Sequence, residues 1–218
     1  MVRATFLSLT LLAGLALASP VAVRNNNATA IILAAAPKSA SCAGVTDSPE
    51  ECGTAAQAAQ FLPAAFQKYG IYSPGEMAAI LSLMAFETGD FRYNRNHFPG
   101  RPGQGTRNMQ MAKYNLLYAL SVPELEPKAK EIAGDVADGN DLPDDKKNQI
   151  LDLVMPDEYT WGSAAWFVTT QCEQSVRDEL AEGTVKGFTM YTTECIGTSS
   201  TEDRVEKWSQ AKAAFGLP

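Results

Sequence analysis

Hydrophobic and polar positions along most of the chain repeat with the spacing of helices. From Cys42 onward, apolar residues recur every three or four positions, which is the pattern of amphipathic helices. Strand signals are few, and the clearest are Val185 to Tyr191 and the region after Phe91. We therefore expect an α+β, mainly α domain. The pattern predicts helices at about residues 54–69, 74–88, 109–121, 127–137, 143–154, 160–180 and 201–215.

Capping residues define both ends of the predicted helix at 74–88. Ser73 is a good N-cap, Pro74 suits the first helical position, and Glu76 completes a capping box. Gly89 is a natural residue to end the helix, because glycine tolerates the left-handed conformation found there. The residues that follow, 90–108, have the composition of a loop and hairpin.

The first eighteen residues have the composition of a signal peptide. Arg3 supplies a positive charge, Phe6 to Leu17 form an apolar run, and Ala16 to Ala18 provide small residues for cleavage. The run is shorter than the roughly 20 residues that a membrane-spanning helix needs. We therefore expect residues 1–18 to be removed and the mature chain to be secreted, extracellular and free of the membrane.

Residues 19–40 are rich in Ala, Asn and Pro and have no clear period, which predicts a flexible lead-in or pro-segment. The alternative for the apolar stretch Ile31 to Ala36 is that it packs as an edge element. Asn27-Ala28-Thr29 is an N-glycosylation sequon, so Asn27 is a predicted glycosylation site. The remaining residues, 41–218, are enough for one domain with its own core.

Charge and cysteine content exclude several classes of function. The formal net charge is −7, which argues against nucleic acid and against anionic membranes as partners. Four cysteines allow three disulfide pairings, and we favour Cys42–Cys52 with Cys172–Cys195 because these pairs close short loops. No CxxC spacing exists and His97 is the single histidine, so we expect no metal and no cofactor. We also expect a monomer.

Glu87 stands at the end of an apolar helix. The helical spacing puts it beside the buried stripe, near Ile80 and Met84. Partial burial and the negative end of the helix dipole both disfavour the ionised carboxylate, so we expect a raised pKa suited to a general acid. The alternative is a solvent-exposed acid paired with Arg92 or Arg95.

The polar stretch after Glu87 combines amides, guanidinium groups and aromatic rings, a mixture typical of sugar-binding sites. His97 has two interpretations: a catalytic base, or a loop histidine that packs on Phe98 and bonds a backbone carbonyl, which we favour. The predicted substrate-binding residues of this stretch are Asp90, Tyr93, Asn96, His97, Gln104, Arg107 and Asn108.

Three short motifs give the chain a family resemblance. "ETGDF" at residues 87–91, "GTRNMQ" at 105–110 and "NLLYA" at 115–119 occur in an order and spacing similar to the signature of the lysozyme-like superfamily. The resemblance is to its branch of goose-type lysozymes and soluble lytic transglycosylases, and to secreted fungal muramidases. It implies a lysozyme-like single domain with a small β-hairpin wing.

The resemblance also implies roles for particular residues. Glu87 matches the catalytic general acid, and Met109 and Gln110 match the pair that lines the cleft floor. The following helix would contribute Tyr114, Asn115 and Tyr118 to the same wall. Where goose-type lysozymes have an acid after the Met-Gln pair, this chain has Met111 and Ala112. The identity of any second carboxylate therefore stays open.

From these features we expect a secreted glycoside hydrolase that cleaves β-1,4 bonds of N-acetylhexosamine polymers. Its substrate would be a cell-wall polysaccharide, peptidoglycan first and chitin second. The alternatives are lytic transglycosylase-type cleavage by the same Glu87, or a secreted glycan-binding or effector protein without catalysis on a lysozyme-like scaffold.

Overall fold

The computed structural model describes residues 21–218, with side chains from Asn27 onward. The predicted signal peptide, residues 1–18, lies outside the described residues, and its cleavage and the extracellular location remain predictions. None of the described helices is both long and apolar enough to cross a membrane.

The mainly helical class is confirmed. The helix for which capping residues were identified, at 74–88, has those same limits in the structure. In chain order the helices are α1 Val21–Ala35, α2 Ala55–Lys68, α3 Pro74–Thr88, α4 Ala112–Ser121, α5 Glu126–Ala133, α6 Asp144–Val154, α7 Asp157–Thr160, α8 Ser163–Gln171, α9 Gln174–Ala181, α10 Val185–Met190 and α11 Glu202–Ala214.

The expected β structure is almost absent from residues 21–218. In place of a hairpin wing, the loop before α4 has two isolated antiparallel bridges, Arg95 with Gly105 and Gly105 with Gln110. The strand predicted at Val185 to Tyr191 is wrong, because these residues form α10 and the start of a π-helical segment, Tyr191–Cys195. The Thr184 side chain caps α10 by accepting a hydrogen bond from the Gly187 amide. The cap and the burial of Phe188 outweigh local β propensity.

The single helix predicted at 160–180 is also wrong, because this stretch is divided. Helix α8 ends at Gln171, where Cys172 takes an extended backbone conformation, and α9 begins after Glu173. Cys172 forms a disulfide with Cys195, and Cys42 forms one with Cys52, which is the pairing favoured from the sequence. A disulfide at the end of α8 holds this break next to the π-helical segment.

The prediction of a flexible segment at 19–40 does not agree with the structure from residue 21 onward. Helix α1 packs against α2 and α11, and Ile32, Ala35 and Ala36 are buried in the core. The apolar stretch that we considered as a packed edge element is therefore packed, as a helix. Burial of these side chains is what orders a sequence that has no strong helical period of its own.

The core has two parts that meet around α8. One contains α1, α2, α3 and α11 and is centred on side chains such as Ile80, Leu81 and Trp161. The other contains α4, α5 and α6 and includes Leu116 and Trp166. Helix α3 is buried on nearly every side until its last turn. That last turn, which carries Glu87, is therefore the part of α3 that opens toward a cleft.

Candidate functional site

The end of α3 is fixed by its own hydrogen bonds. The Thr88 hydroxyl donates to the Met84 carbonyl at 2.6 Å and accepts from the Phe91 amide at 2.9 Å. Gly89 adopts the predicted left-handed conformation, with φ of 63°. This turn places Glu87 at the boundary between core and solvent, with 28% of its side chain exposed.

Glu87 is paired with an arginine that the sequence did not indicate. Arg204, at the start of α11, donates a hydrogen bond of 2.9 Å to Glu87 Oε1. The same guanidinium lies over the Phe86 ring at 4.6 Å and donates to the Ser199 carbonyl at 3.3 Å. The predicted partners Arg92 and Arg95 instead contact Asp47 and Asp152, respectively. A cation that local helix geometry did not indicate therefore lies beside Glu87.

The loop between α3 and α4 is organised by a buried carboxylate. Glu51 Oε2 accepts hydrogen bonds from the amides of Asn94 and Arg95, at 2.9 and 3.1 Å. Glu51 Oε1 lies 2.9 Å from His97 Nε2. The contacts predicted for His97 are wrong: its ring packs at the edge of Tyr93, while Phe98 is 91% exposed.

The buried side chain of Arg107 holds the backbone of this loop in place. Its guanidinium donates to the carbonyls of Phe91 and Tyr93, at 2.9 and 3.1 Å, and lies over the Trp161 ring at 4.7 Å. Burial lowers the pKa of Arg107 to about 10, against the opposing influence of Asp157 and Glu51. Arg107 was a predicted substrate-binding residue, but its bonds to the backbone make it part of the scaffold.

A chain of amides forms one side of the cleft. Asn108 Nδ2 donates to Gln110 Oε1 at 3.1 Å, and Gln110 Nε2 donates to Asn115 Oδ1 at 2.9 Å. Asn115 Nδ2 in turn donates to the Gly103 carbonyl at 2.8 Å. All three side chains are buried. The network fixes the orientation of the amides, so the cleft wall is preorganised.

These elements enclose a cleft of about 410 Å³. Its walls combine apolar side chains with amides and charged groups. The lining residues are Leu83, Glu87, Arg101, Gln104, Asn108, Met109, Gln110, Met111, Tyr114, Phe167, Ile196, Gly197, Thr198 and Arg204. Six of the predicted site residues are therefore brought together: Glu87, Gln104, Asn108, Met109, Gln110 and Tyr114.

The other predicted residues lie elsewhere. Asp90 is buried and bonds the Lys38 amide and the Lys207 ammonium, at 3.0 and 2.5 Å. Tyr118 points away from the cleft and donates to the Tyr159 carbonyl at 2.8 Å. Asn115 supports the amides without lining the cavity. Tyr93 donates to Asp47, and Asn96 and His97 line a neighbouring cavity.

In the wall that faces the amides, the sequence did not indicate two parts, the segment Ile196 to Thr198 and Arg204. Both are remote from Glu87 in the chain, and they line the cleft together with Phe167 of α8, which belongs to the stretch 158–170 expected on this side. A helix starting near residue 201 was predicted, but no periodic or motif signal connects it to α3. The packing of α11 on α3 is the feature that brings Arg204 to the site.

One similar protein bears on the function. The chain is 51% identical over 161 residues to a bifunctional dioxygenase (DOX)–epoxy alcohol synthase (EAS) of Fusarium oxysporum (strain Fo5176), and the matched region is 74% of this chain. The chain spans only 12% of the length of that relative. No protein-family profile matches the chain, and no solved structure matches it.

This comparison overturns the functional expectations. The assignment to the lysozyme-like superfamily is wrong. The name of the similar protein describes oxidative enzymes, a dioxygenase and an epoxy alcohol synthase, and no solved structure of a lysozyme-like protein matches the chain. The glycoside hydrolase and its two glycan-directed alternatives are wrong for the same reason, as is cell-wall polysaccharide as the substrate. The motifs that suggested them are short, and such patterns arise wherever a capped helix precedes a glycine-rich loop. A catalytic role for Glu87 remains an untested prediction.

Proposed function

We propose that this chain is a binding module for an oxygenated aliphatic molecule and that it works beside dioxygenase and epoxy alcohol synthase chemistry. The similar region is a small part of a much longer bifunctional protein. A segment of this size that accompanies an oxidising enzyme is well suited to hold a substrate or product. The epoxy alcohol of the relative's name indicates the class of molecule.

The side chains of residues 27–218 do not fit a resident metal centre. They contain no group of three or more His, Cys, Asp or Glu that could hold a metal ion. Both cysteine pairs are disulfides, and His97 is bonded to Glu51. We therefore assign a binding role to the chain and derive no oxygenation step from its residues.

The observation that carries the proposal is the mixed lining of the cleft. Phe167, Ile196 and Leu83 offer apolar surface for a hydrocarbon chain. On the other side, Gln104 donates its amide N–H to the Met109 carbonyl at 3.0 Å, while its Oε1 is buried without a partner. A buried acceptor without a donor costs free energy, and a ligand hydroxyl would satisfy it once the Gln104 side chain turns Oε1 toward the cleft.

An epoxy alcohol matches this arrangement chemically. Its hydroxyl group can donate to Gln104 Oε1, and its epoxide oxygen can accept from an amide or guanidinium N–H in the cleft. Its hydrocarbon part would cover the apolar wall. The cleft volume of about 410 Å³ lies within the range of small-molecule sites.

Isothermal titration calorimetry with a synthetic aliphatic epoxy alcohol tests the proposal. We expect saturable binding that weakens about tenfold in Gln104→Leu, the effect of losing one buried hydrogen bond. Gln60→Leu, at an exposed amide on α2, is the matched control and should bind as the parent does. Mass spectrometry should recover the ligand unchanged. Absence of binding, or conversion of the ligand, would overturn the proposal of a binding module.

A further inference from the structure

The charges that line the cleft leave one arginine without a partner. The cleft contains Glu87, Arg101 and Arg204, and the first and last of these form an ion pair. No salt bridge to Arg101 occurs within residues 27–218, and among these residues its guanidinium donates one hydrogen bond, to the Met111 sulfur at 3.9 Å. The lining of the cleft therefore carries one uncompensated positive charge, although the chain as a whole has a formal net charge of −7.

A second cavity lies next to the first, at Arg101. It has a volume of about 390 Å³ and shares Arg101 and Gln104 with the cleft. Its other ionic side chains include Arg95 and Asp152, which form an ion pair with each other. Across both cavities the arginines at 95 and 204 have carboxylate partners, and Arg101 does not.

The backbone at Arg101 is held although its side chain is exposed. Asn96 Oδ1 accepts hydrogen bonds from the amides of Gly100 and Arg101, at 2.9 and 3.2 Å. The Arg101 carbonyl accepts from the Gln104 amide at 3.2 Å. Hydrogen bonds thus fix the turn that carries Arg101, and the Arg101 side chain lines both cavities.

We infer that the ligand of this cleft carries a carboxylate and that Arg101 binds it. The inference rests on the proposed function and adds an acidic end group to the oxygenated aliphatic ligand. The carboxylate lies at the junction of the cavities, within reach of a bidentate contact with the guanidinium. The hydrocarbon runs from there along Phe167 and Ile196, and the oxygen substituents meet Gln104.

Physical chemistry favours this orientation over the reverse one. Guanidinium and carboxylate groups form paired, charge-assisted hydrogen bonds that are stronger than neutral ones. At the other end of the cleft, Arg204 is occupied by Glu87 and the Ser199 carbonyl. A carboxylate placed there would compete with Glu87 for the same donor and meet its negative charge.

Calorimetry with a hydroxy-epoxy aliphatic acid and with its methyl ester tests the inference. The ester keeps the hydroxyl, the epoxide and the hydrocarbon but removes the charge. We expect the acid to bind about tenfold more tightly than the ester in the parent protein. In Arg101→Gln the two ligands should bind with equal, weak affinity, whereas Arg101→Lys should recover part of the preference for the acid.

Arg92→Gln provides the matched control, because Arg92 is a surface arginine that contacts Tyr93 and Asp47 outside the cleft. It should keep the full preference for the acid. If acid and ester bind the parent equally well, the inference fails while the proposed function stands. If neither ligand binds, both fail.

Discussion

Arg204 and Glu87 lie 117 positions apart in the sequence and are joined by a hydrogen bond of 2.9 Å. The bond connects the first turn of α11 to the last turn of α3. Arg204 is only 15% exposed, and its guanidinium also covers the Phe86 ring. The pair therefore forms one wall of the cleft and also fixes the C-terminal helix to the core.

Disrupting this pair should reduce stability by a measurable amount. We expect Glu87→Gln and Arg204→Met each to lower the free energy of unfolding by about 1–2 kcal/mol, since the pair is only partly shielded from water. A double-mutant cycle by urea denaturation should give a coupling energy of about 1 kcal/mol. The exposed pair Lys128–Glu131 is the control, with an expected coupling below about 0.5 kcal/mol. Equal coupling in the two pairs would contradict the assigned role.

Stability should fall above pH 10 because of buried tyrosines. Burial raises the pKa of Tyr118 and Tyr191, and for Tyr191 the charges of Glu87 and Glu76 add to the effect. In the unfolded chain these phenols lose their protons near pH 10, while the folded chain keeps them. Each therefore contributes stability that is present below pH 10 and is lost by about 1.4 kcal/mol per pH unit above it.

Arg107 opposes this trend. Its folded pKa of about 10 lies below its ordinary value, so the unfolded chain binds the extra proton between pH 10 and 12. That contribution increases stability as pH rises, by about 1.4 kcal/mol per unit, and offsets one of the two tyrosines. Urea denaturation between pH 8 and 11 should show a net loss, and Tyr191→Phe should flatten it. A stability that stays constant through this range in the parent would contradict the raised pKa values of the two tyrosines.

The two disulfides should differ in their effect on binding. Cys195 directly precedes Ile196, so the Cys172–Cys195 disulfide anchors a wall of the cleft. The Cys42–Cys52 disulfide does not line the cleft. Replacing either pair with alanine should cost about 3 kcal/mol in the free energy of unfolding. Ligand affinity in calorimetry should fall only for Cys172→Ala with Cys195→Ala. A similar loss in the Cys42, Cys52 variant would show that the effect is not local.

Gly105 should not tolerate a side chain. It forms both isolated bridges of the loop, and a Cβ there would lie 2.5 Å from the Asn94 carbonyl oxygen and 2.9 Å from Leu151. Because the neighbours include backbone, we expect Gly105→Ala to lower the free energy of unfolding by about 1–3 kcal/mol. Gly44→Ala, where the space is open but φ is 79°, separates crowding from backbone strain. A smaller loss at Gly105 than at Gly44 would sink the packing argument.

Local signals in the sequence predicted much of the fold. Ser73 with Pro74 and Gly89 fixed the limits of α3, because caps act on groups that are adjacent in the chain. The disulfide pairing also followed from short loop lengths. Glu87 was correctly placed beside the buried stripe, since helical geometry relates positions within one helix.

The errors occurred where distant segments decide the outcome. The stretch Val185 to Tyr191 has β-forming residues, yet burial of Phe188 and Tyr191 on one side makes it helical. The segment at 21–35 shows little periodicity, and it becomes ordered through its contacts with α2 and α11. The short motifs that resemble those of lysozyme-like proteins correspond to a capped helix and a glycine-rich loop, which occur in many folds.

By itself, the sequence determined where most helices begin and end, which cysteines are close enough to pair, and that Glu87 stands at the edge of a core. The tertiary structure decided what faces Glu87. Arg204, Phe167 and Ile196 reach the cleft only because α11, α8 and the segment after Cys195 pack around α3. Long-range packing depends on the complementary shapes of whole elements, and local patterns carry no record of it.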